Sequence, residues 1–163
     1  MERNWYAVYT KSHCEKKVAT LLSKKEIKNY YPLNRIINFE DNKKKTVYEP
    51  ILFTIVFVYI TDLEMAVIKN TSYVINFVYW LGKPAVIKKE EIAQMQYFTN
   101  EYSNVMLEKT AVNPNESGRF TSESYIDSTG KLVSVKNTVI KLLLPSLGYK
   151  MVASIEKLNF TDL

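Results

Sequence analysis

One uncharged stretch, residues 51–60 with the sequence ILFTIVFVYI, constrains the fold of this chain more than any other segment. A half-buried strand alternates apolar and polar residues, whereas a continuous apolar run is typical of a strand covered on both faces. The run is too short to cross a bilayer as a helix, which takes about 20 apolar residues. Pro50 precedes it, and proline is tolerated at the first residue of a strand. We therefore predict a central strand with chain packed on one face and either more chain or a partner on the other.

Cysteine and histidine are nearly absent, which excludes proteins that are stabilised by internal disulfides or by zinc clusters. Cys14 and His13 are the single representatives of their types among 163 residues, so neither an internal disulfide nor a zinc cluster is expected. A chain without disulfides fits a reducing compartment, and we expect a cytoplasmic protein. The first residues run directly into a strand-like segment, so we expect no secretory signal peptide and no membrane association.

The positive charge is concentrated near the N-terminus. The formal net charge is +5 with a pI near 9.1. Residues 3–45 hold 11 Lys/Arg against 4 Asp/Glu, so the rest of the chain is slightly acidic. Clustering of this kind indicates either a polyanionic partner or a solvated lysine-rich face, and charge alone does not separate the two.

A strand followed by a helix is predicted at the start of the chain. Residues 5–10 (WYAVYT) are apolar on both faces, and Ser12 with Glu15 has the spacing of a helix capping box. The helix would carry an apolar stripe made of Cys14, Val18, Leu21 and Leu22. A flank of that stripe gathers His13, Lys17 and Lys24, with Lys11 just before the helix. This flank could meet phosphates while the stripe stays buried.

The remaining segments up to residue 102 complete an α+β domain. A hairpin is expected around residues 39–47, a short helix after Asp62, a strand over 73–80 and a last helix from about Lys88. This order predicts an antiparallel sheet with helices packed on it. Residues 103–118 are predicted to be a linker because they include the sequence NPNESG. Residues 119–163 contain short strand-like runs, at 131–135, 138–144 and 149–155, which predict a small β-barrel.

Motifs for catalysis are missing, so an enzyme is not expected. The chain contains no glycine-rich phosphate loop and no HExxH, GxSxG or CxxC. Cys14 beside His13 resembles a nucleophile pair, but consecutive helical residues point about 100° apart and Cys14 lies on the apolar stripe. We predict no catalytic residue, no metal ligand and no cofactor.

Three motifs in order nevertheless give the chain a recognisable signature. They are WYAVYTK with EKKV (residues 5–11 and 15–18), EP with FV (49–50 and 57–58), and FVYWLGKPAVI (77–87). Together they resemble the N-terminal domain of NusG-type transcription elongation factors over residues 4 to about 100. Residues 130–155 resemble the KOW domain of that family more weakly, since its glycine-rich opening turn is not evident, and this resemblance implies that the small C-terminal β-barrel is SH3-like.

The resemblance implies a non-enzymatic factor that binds the clamp helices of the RNA polymerase β′ subunit and suppresses pausing and termination. An apolar concavity for those helices would consist of Tyr9, Ile55, Phe57 and Trp80. Contacts to non-template DNA would map to Lys11, His13, Lys16 and Lys17. The plain alternative is that the apolar residues belong to the core and the lysines serve solubility.

Among NusG relatives, the specialised antiterminators resembling RfaH and UpxY of polysaccharide operons fit best. Housekeeping members usually carry Phe-Pro-Gly-Tyr before the FV pair, whereas this chain has Phe53 followed by TIV. By the same resemblance the C-terminal barrel would meet the ribosome, a termination factor or neither. We expect the protein to be a monomer. Certain RfaH-like proteins hold the C-terminal domain as a helical hairpin. Residues 131–155 are rich in Val, Ile and Thr, which favour β-strands, so we expect the barrel here. The competing hypotheses are a general RNA-binding module and a scaffold without nucleic-acid contacts.

Overall fold

The structure is a computed structural model that describes residues 1–109, 120–122 and 138–155. Its strands, in chain order, are β1 (Asn4–Thr10), β2 (Lys28–Tyr30), β3 (Leu33–Glu40), β4 (Lys43–Pro50), β5 (Ile55–Ile60), β6 (Val74–Phe77), β7 (Tyr79–Trp80), β8 (Lys83–Pro84), β9 (Val86–Ile87), β10 (Met106–Lys109), β11 (Phe120–Ser122), β12 (Thr138–Leu144) and β13 (Tyr149–Ile155). The helices are α1 (Glu15–Lys24), α2 (Met65–Lys69), preceded by a 3-10 turn over Asp62–Glu64, and α3 (Lys89–Glu101). The chain divides into two compact units, residues 1–33 with 50–93 and residues 34–49 with 94–163.

The first unit is built on an antiparallel sheet in the order β2-β5-β1-β6, with β9 also pairing β1. The register places Trp5 opposite Tyr59, Ala7 opposite Phe57, and Tyr9 opposite Ile55. Side chains alternate between the two faces of a strand, so these pairs share one face and the residues between them share the other. The predicted antiparallel sheet with helices is confirmed for this unit.

Both faces of the β1–β5 pair are buried at its centre. On the first face Ala7 and Phe57 have no exposed surface and Trp5 is buried. On the other face the sheet and the helices share a core made of Tyr6, Val8, Val18, Leu22, Ile27, Val56, Val58, Ile60, Ile68 and Phe77. Burying one such aliphatic side chain contributes about 1.5–3 kcal/mol. The double burial explains why these strands contain continuous apolar runs instead of alternating ones.

The second unit contains the β3–β4 hairpin and a four-stranded sheet in the order β10-β13-β12-β11. The hairpin turns at Asp41 and Asn42, both with positive φ, as the two-residue turns of hairpins require. The predicted hairpin and its exposed lysines at 43–45 are therefore confirmed. In the sheet, the core consists of Ile140, Leu142, Leu144, Met151 and Ala153.

Side-chain amides hold the hairpin base to the segment after α3. The Asn34 amide donates to the Val105 carbonyl at 2.7 Å, and the Val105 N–H donates to the Asn34 carbonyl oxygen at 2.9 Å. The Ile37 N–H donates to the Asn104 side chain at 3.0 Å. Asn34 is buried, so its two bonds offset the cost of removing an amide from water.

The structure corrects the predicted central strand. The strand begins at Ile55 and not after Pro50, because residues 51–54 form a turn in which Thr54 takes a positive φ of 63°. Ile51 and Leu52 are buried in this turn, and the Ile51 N–H donates to the Pro32 carbonyl at 3.0 Å. The turn therefore buries apolar residues without extending the sheet.

The predicted start of α1 is also wrong. The helix begins at Glu15, its N-cap is Cys14, and no side chain caps it. His13 precedes the helix with a positive φ of 58°, so it does not share a helical flank with Lys17 and Lys24. The Glu15 carboxylate takes no part in capping the helix, and it accepts a hydrogen bond from the Thr54 N–H instead.

The predicted C-terminal strands at residues 138–144 and 149–155 are present as β12 and β13. The strand predicted at 131–135 lies outside the described residues, and closure into a barrel stays a prediction. Within the stretch predicted as linker, residues 106–109 form β10, which pairs with β13. No described helix has the length and apolar character needed to cross a membrane.

Candidate binding site at the open end of the central strands

The C-terminal end of β1 lies beside the start of β5, and together they form an exposed surface that we call the open end. It consists of Tyr9, Lys11, Phe53, Thr54, Ile55 and Tyr73, while Thr10 between Tyr9 and Lys11 is buried. Tyr9 is opposite Ile55 on the face that also carries Phe57. Tyr9 is 42% exposed and Ile55 is half-buried, so this face becomes accessible where the pair ends. Two of the four residues predicted to meet a protein partner are thus neighbours at one surface.

Phe57, from the same predicted set, is completely buried. Its ring stacks on the Tyr30 ring with centroids 6.2 Å apart and planes inclined by 20°. The side chain therefore offers no surface to a partner, and its place is in the layer beneath the face.

Trp80, the fourth predicted residue, lies on the separate β7–β8 hairpin. Its side chain is 58% exposed, and the tip residue Leu81 is more exposed still. The hairpin starts from the sheet, because the Val78 N–H donates to the Ala7 carbonyl at 2.8 Å. Neither a hydrogen bond nor a ring contact joins Trp80 to Tyr9 in the part of the chain that the structure describes.

A buried carboxylate shapes the turn before β5. Glu15 is only 3% exposed, and its Oε1 accepts the Thr54 N–H at 2.7 Å. The Thr54 carbonyl in turn accepts the Thr10 N–H at 2.8 Å. These bonds hold Thr54 in its left-handed conformation and leave the neighbouring Phe53 side chain exposed. Sequence reasoning missed Phe53 and this role of Glu15, since the capping-box spacing suggested a local partner.

The predicted DNA-binding residues are all exposed near this surface. Lys11 directly follows β1, His13 occupies the turn before α1, and Lys16 and Lys17 lie in the first turn of α1. The Lys11 N–H donates to the Tyr73 carbonyl at 2.9 Å. The Lys17 Nζ lies 5.3 Å from the centroid of the Tyr73 ring, within the range of a cation–π contact. Tyr73 was not predicted as a site residue, because the sequence placed it only at the start of the strand predicted over 73–80.

The edge strand β6 is irregular beside the same surface. It pairs Asn76 with Tyr9 and Val74 with Thr10, so Ile75 is an extra residue that forms a bulge. Ile75 is exposed. Bulges bend an edge strand and are frequent next to binding sites. The bulge ends regular pairing of β6 at the point where Tyr73 approaches Lys11.

The ionisable groups with shifted pKa values are structural. Burial raises the pKa of Tyr6, whose hydroxyl donates to Asp62 at 3.2 Å. Burial, followed by the negative charge of Glu15, raises the pKa of Tyr31. The hydrogen bond from the Thr61 backbone N–H lowers the pKa of Glu64, and Arg3 adds to this effect. Among the described residues, no group of three His, Cys, Asp or Glu side chains could hold a metal ion.

Solved structures that are similar to this chain include the following two. One, titled "Domain interaction in Thermotoga maritima NusG", has 18% identity and a TM-score of 0.48, over 96% of this chain and 94% of that one. The other, the MjSpt4:Spt5 complex, has 22% identity and a TM-score of 0.34, over 93% and 99%. A comparison with curated proteins finds no match.

The match to a protein-family model covers most of the first unit and residues 34–49 and 94–96 of the second. Residues 3–96, more than half of the chain, match the family model described as "Transcription termination factor nusG". This range contains β1, α1, the open end and the exposed lysines around it. The expected resemblance is confirmed: the chain belongs to the NusG family of transcription factors.

Proposed function

We propose that this protein is a transcription antitermination and elongation factor that binds the clamp helices of RNA polymerase and suppresses pausing and termination. The observation that carries the proposal is the Tyr9–Ile55 pair, in which Tyr9 is exposed and Ile55 half-buried, together with the exposed basic residues Lys11, His13, Lys16 and Lys17 that follow β1 in the chain. Family membership supports an action on transcription elongation.

The apolar part of the open end is suited to a helix partner. Tyr9, Ile55 and the neighbouring Phe53 expose aromatic and aliphatic surface, and Trp80 contributes a second exposed aromatic on its hairpin. Apolar burial contributes about 25 cal/mol per Å², so an aromatic-lined patch can bind a helix without ion pairs. In this proposal Phe57 supports the face from beneath and makes no direct contact.

The basic part of the open end is assigned to the non-template DNA strand. Lys11, His13, Lys16 and Lys17 are exposed, and lysines that neutralise phosphates release counterions. Binding would therefore weaken with salt, by a slope of about 0.7 per phosphate on a single strand.

We extend the proposal to the biological setting in which the factor acts. The departure from the housekeeping pattern after Phe53 favours a specialised RfaH- or UpxY-like factor that serves particular operons, such as those for polysaccharide synthesis. Residues 119–163 would form a KOW-like barrel that meets the ribosome or a termination factor, joined through residues 103–118 to the domain over 1–102. The protein would act as a cytoplasmic monomer.

The first experiment measures binding of the full chain to an isolated clamp-helix fragment. Tyr9→Ala is expected to weaken binding at least tenfold, which is about 1.4 kcal/mol. Val67→Ala is the control, because Val67 is also 42% exposed but lies on α2. Circular dichroism confirms that each variant is folded. The proposal is wrong if the wild type does not bind, or if Tyr9→Ala and Val67→Ala bind equally well.

A general RNA-binding module is the second candidate, and the contact between Lys17 and the half-exposed Tyr73 favours it. Aromatic side chains next to lysines bind single-stranded RNA as readily as DNA. This alternative predicts tight RNA binding without polymerase. A scaffold without nucleic-acid contacts predicts instead that charge reversal at Lys11, Lys16 and Lys17 leaves read-through of a pause-containing template unchanged.

A further inference from the structure

Tyr73 combines an anchored backbone with an accessible ring. It lies in the turn between α2 and β6, and its carbonyl accepts the Lys11 N–H at 2.9 Å. Its side chain is 40% exposed. The hydrogen bond fixes the residue to the end of β1, while the aromatic ring remains available to a ligand.

The backbone of Tyr73 is strained. Its φ is +70°, a conformation that glycine adopts freely and that costs stability for a residue with a Cβ. Thr54, φ 63°, and His13, φ 58°, have the same strain at this end of β1. Strained residues concentrate at functional sites, where the surrounding structure holds them in place. The surrounding structure therefore holds Tyr73 in this conformation, with its ring partly exposed.

The surroundings of the ring match a site for single-stranded nucleic acid. Such sites combine an aromatic platform, on which a base stacks, with cationic side chains that follow the phosphates. The Lys17 Nζ lies 5.3 Å from the ring centroid, and Lys11 is joined to Tyr73 through the backbone. Both lysines are exposed, so their charges are accessible to a phosphate next to a base on the ring.

We propose that Tyr73 stacks on an unpaired base of single-stranded DNA, while Lys17 and Lys11 contact the adjoining phosphates. This inference rests on the proposed function, in which the same basic surface meets the non-template strand. It adds a base-contacting residue to a set that otherwise contacts only phosphates. Stacking tolerates any base, so the contribution to affinity would depend little on sequence.

The test is binding of a fluorescein-labelled oligothymidine to the full chain, measured by fluorescence anisotropy at low salt. Tyr73→Phe keeps the ring and is expected to bind within about twofold of the wild type. Tyr73→Gly removes the ring and is expected to bind about tenfold more weakly, within the range that one base–aromatic stack supplies. Tyr97→Ala removes another exposed tyrosine, on α3, and should leave the affinity unchanged.

Thermal unfolding separates a binding role from a packing role. Glycine relieves the positive φ but loses the partly buried ring, so the two effects oppose each other and Tyr73→Gly should melt close to the wild type. A second readout uses oligonucleotide containing 5-iododeoxyuridine, photo-cross-linked to the wild-type chain and mapped by mass spectrometry. We expect the cross-link at Tyr73, and a map that omits Tyr73 overturns the inference whatever the stability of the glycine variant.

The remaining outcomes distinguish this inference from the proposed function. If the wild type binds oligothymidine and Tyr73→Gly binds it equally well, the stacking role is wrong and the basic surface retains its function. If the wild type binds no oligothymidine, this inference and the assignment of the basic surface to DNA fail, while binding of the clamp helices is decided separately by Tyr9→Ala. Tighter binding to oligouridine than to oligothymidine overturns the assignment to DNA and favours the RNA-binding alternative.

Discussion

The two ends of the β1–β5 pair contain similar residues and differ in how they are covered. At the far end, opposite the open end, Trp5 lies against Tyr59 with ring centroids 5.2 Å apart. Lys28 and Lys89 place their Nζ atoms 5.6 and 5.5 Å from the Tyr59 ring. At the open end the tyrosine beneath the lysine is Tyr73, whose backbone is strained.

The difference shows that lysine–aromatic contacts alone do not identify a binding site. At the far end β9 pairs with Trp5 and Tyr6, and Ile87 is buried there, so the aromatic residues belong to a closed layer. At the open end β6 has a bulge and β5 begins after a strained turn, so regular strand pairing ends there and the aromatic side chains are partly exposed. The lysines at the far end cover apolar rings, whereas those at the open end lie beside exposed ones.

The largest expected effect contrasts a covered residue with an exposed one. Phe57→Ala should lower the free energy of unfolding by about 3–5 kcal/mol, because it leaves a cavity under the Tyr30 ring. Tyr9→Ala should cost about 1 kcal/mol or less, since the side chain is already half in water. Urea denaturation of both variants measures this contrast. Similar losses at the two positions would mean that the open end is as closed as the centre.

Glu15 should have the next largest effect, because it supports the open end from inside. Glu15→Ala leaves the Thr54 N–H without its acceptor and should cost about 1–3 kcal/mol. Glu15→Gln keeps a carbonyl oxygen and should cost less. Hydrogen exchange of the Thr54 amide, followed by NMR, should accelerate in the alanine variant before the amides at the far end do. Uniform acceleration along both strands would contradict a local role.

A smaller contrast concerns lysines with the same type of contact. Lys17→Gln should reduce the slope of log affinity for single-stranded DNA against log salt by about 0.7, since one phosphate contact is lost. Lys28→Gln is the matched control, because its Nζ also lies over aromatic rings but at the far end. The comparison fails if both substitutions change the slope equally.

The smallest expected effect is a pH dependence at the far end. Hydrogen bonds from Thr61 and the charge of Arg3 hold the pKa of Glu64 below its usual value of 4.5. The folded state therefore binds this proton more weakly than the unfolded state does, and the stabilisation present above pH 4.5 is lost as the pH falls through the lowered pKa. Thermal melting over acidic pH should show this loss, and Glu64→Gln should remove it. An unchanged profile in Glu64→Gln would assign the loss to another group.

The sequence predicted most elements up to residue 102 because their signals are local. Strand β1, the body of α1 and the β3–β4 hairpin each follow from periodicity and turn chemistry over a few residues. The turn before β5 was missed because composition does not reveal the sign of φ, and Thr54 is not a residue that usually marks a left-handed turn.

The sequence predicted only the part of the site that follows from a local motif. Tyr9 and the lysines could be found through the family motif, which records positions along the chain. The burial of Phe57 and the bond from Glu15 to Thr54 depend on packing between segments distant in sequence. Tyr73 carries no motif, and its meaning comes from the strained backbone and from Lys17 above its ring.

The paired bonds between Asn34 and Val105 have a consequence for how this chain can vary in evolution. The Asn34 amide bonds only to the backbone N–H and carbonyl of Val105, so it requires a peptide unit at that place, not a valine. Apart from proline, which has no N–H, residue 105 can change as far as packing allows. A deletion or insertion between α3 and Val105 would instead bring the wrong peptide unit to Asn34. Chain length here should therefore be conserved more strictly than residue identity among close relatives.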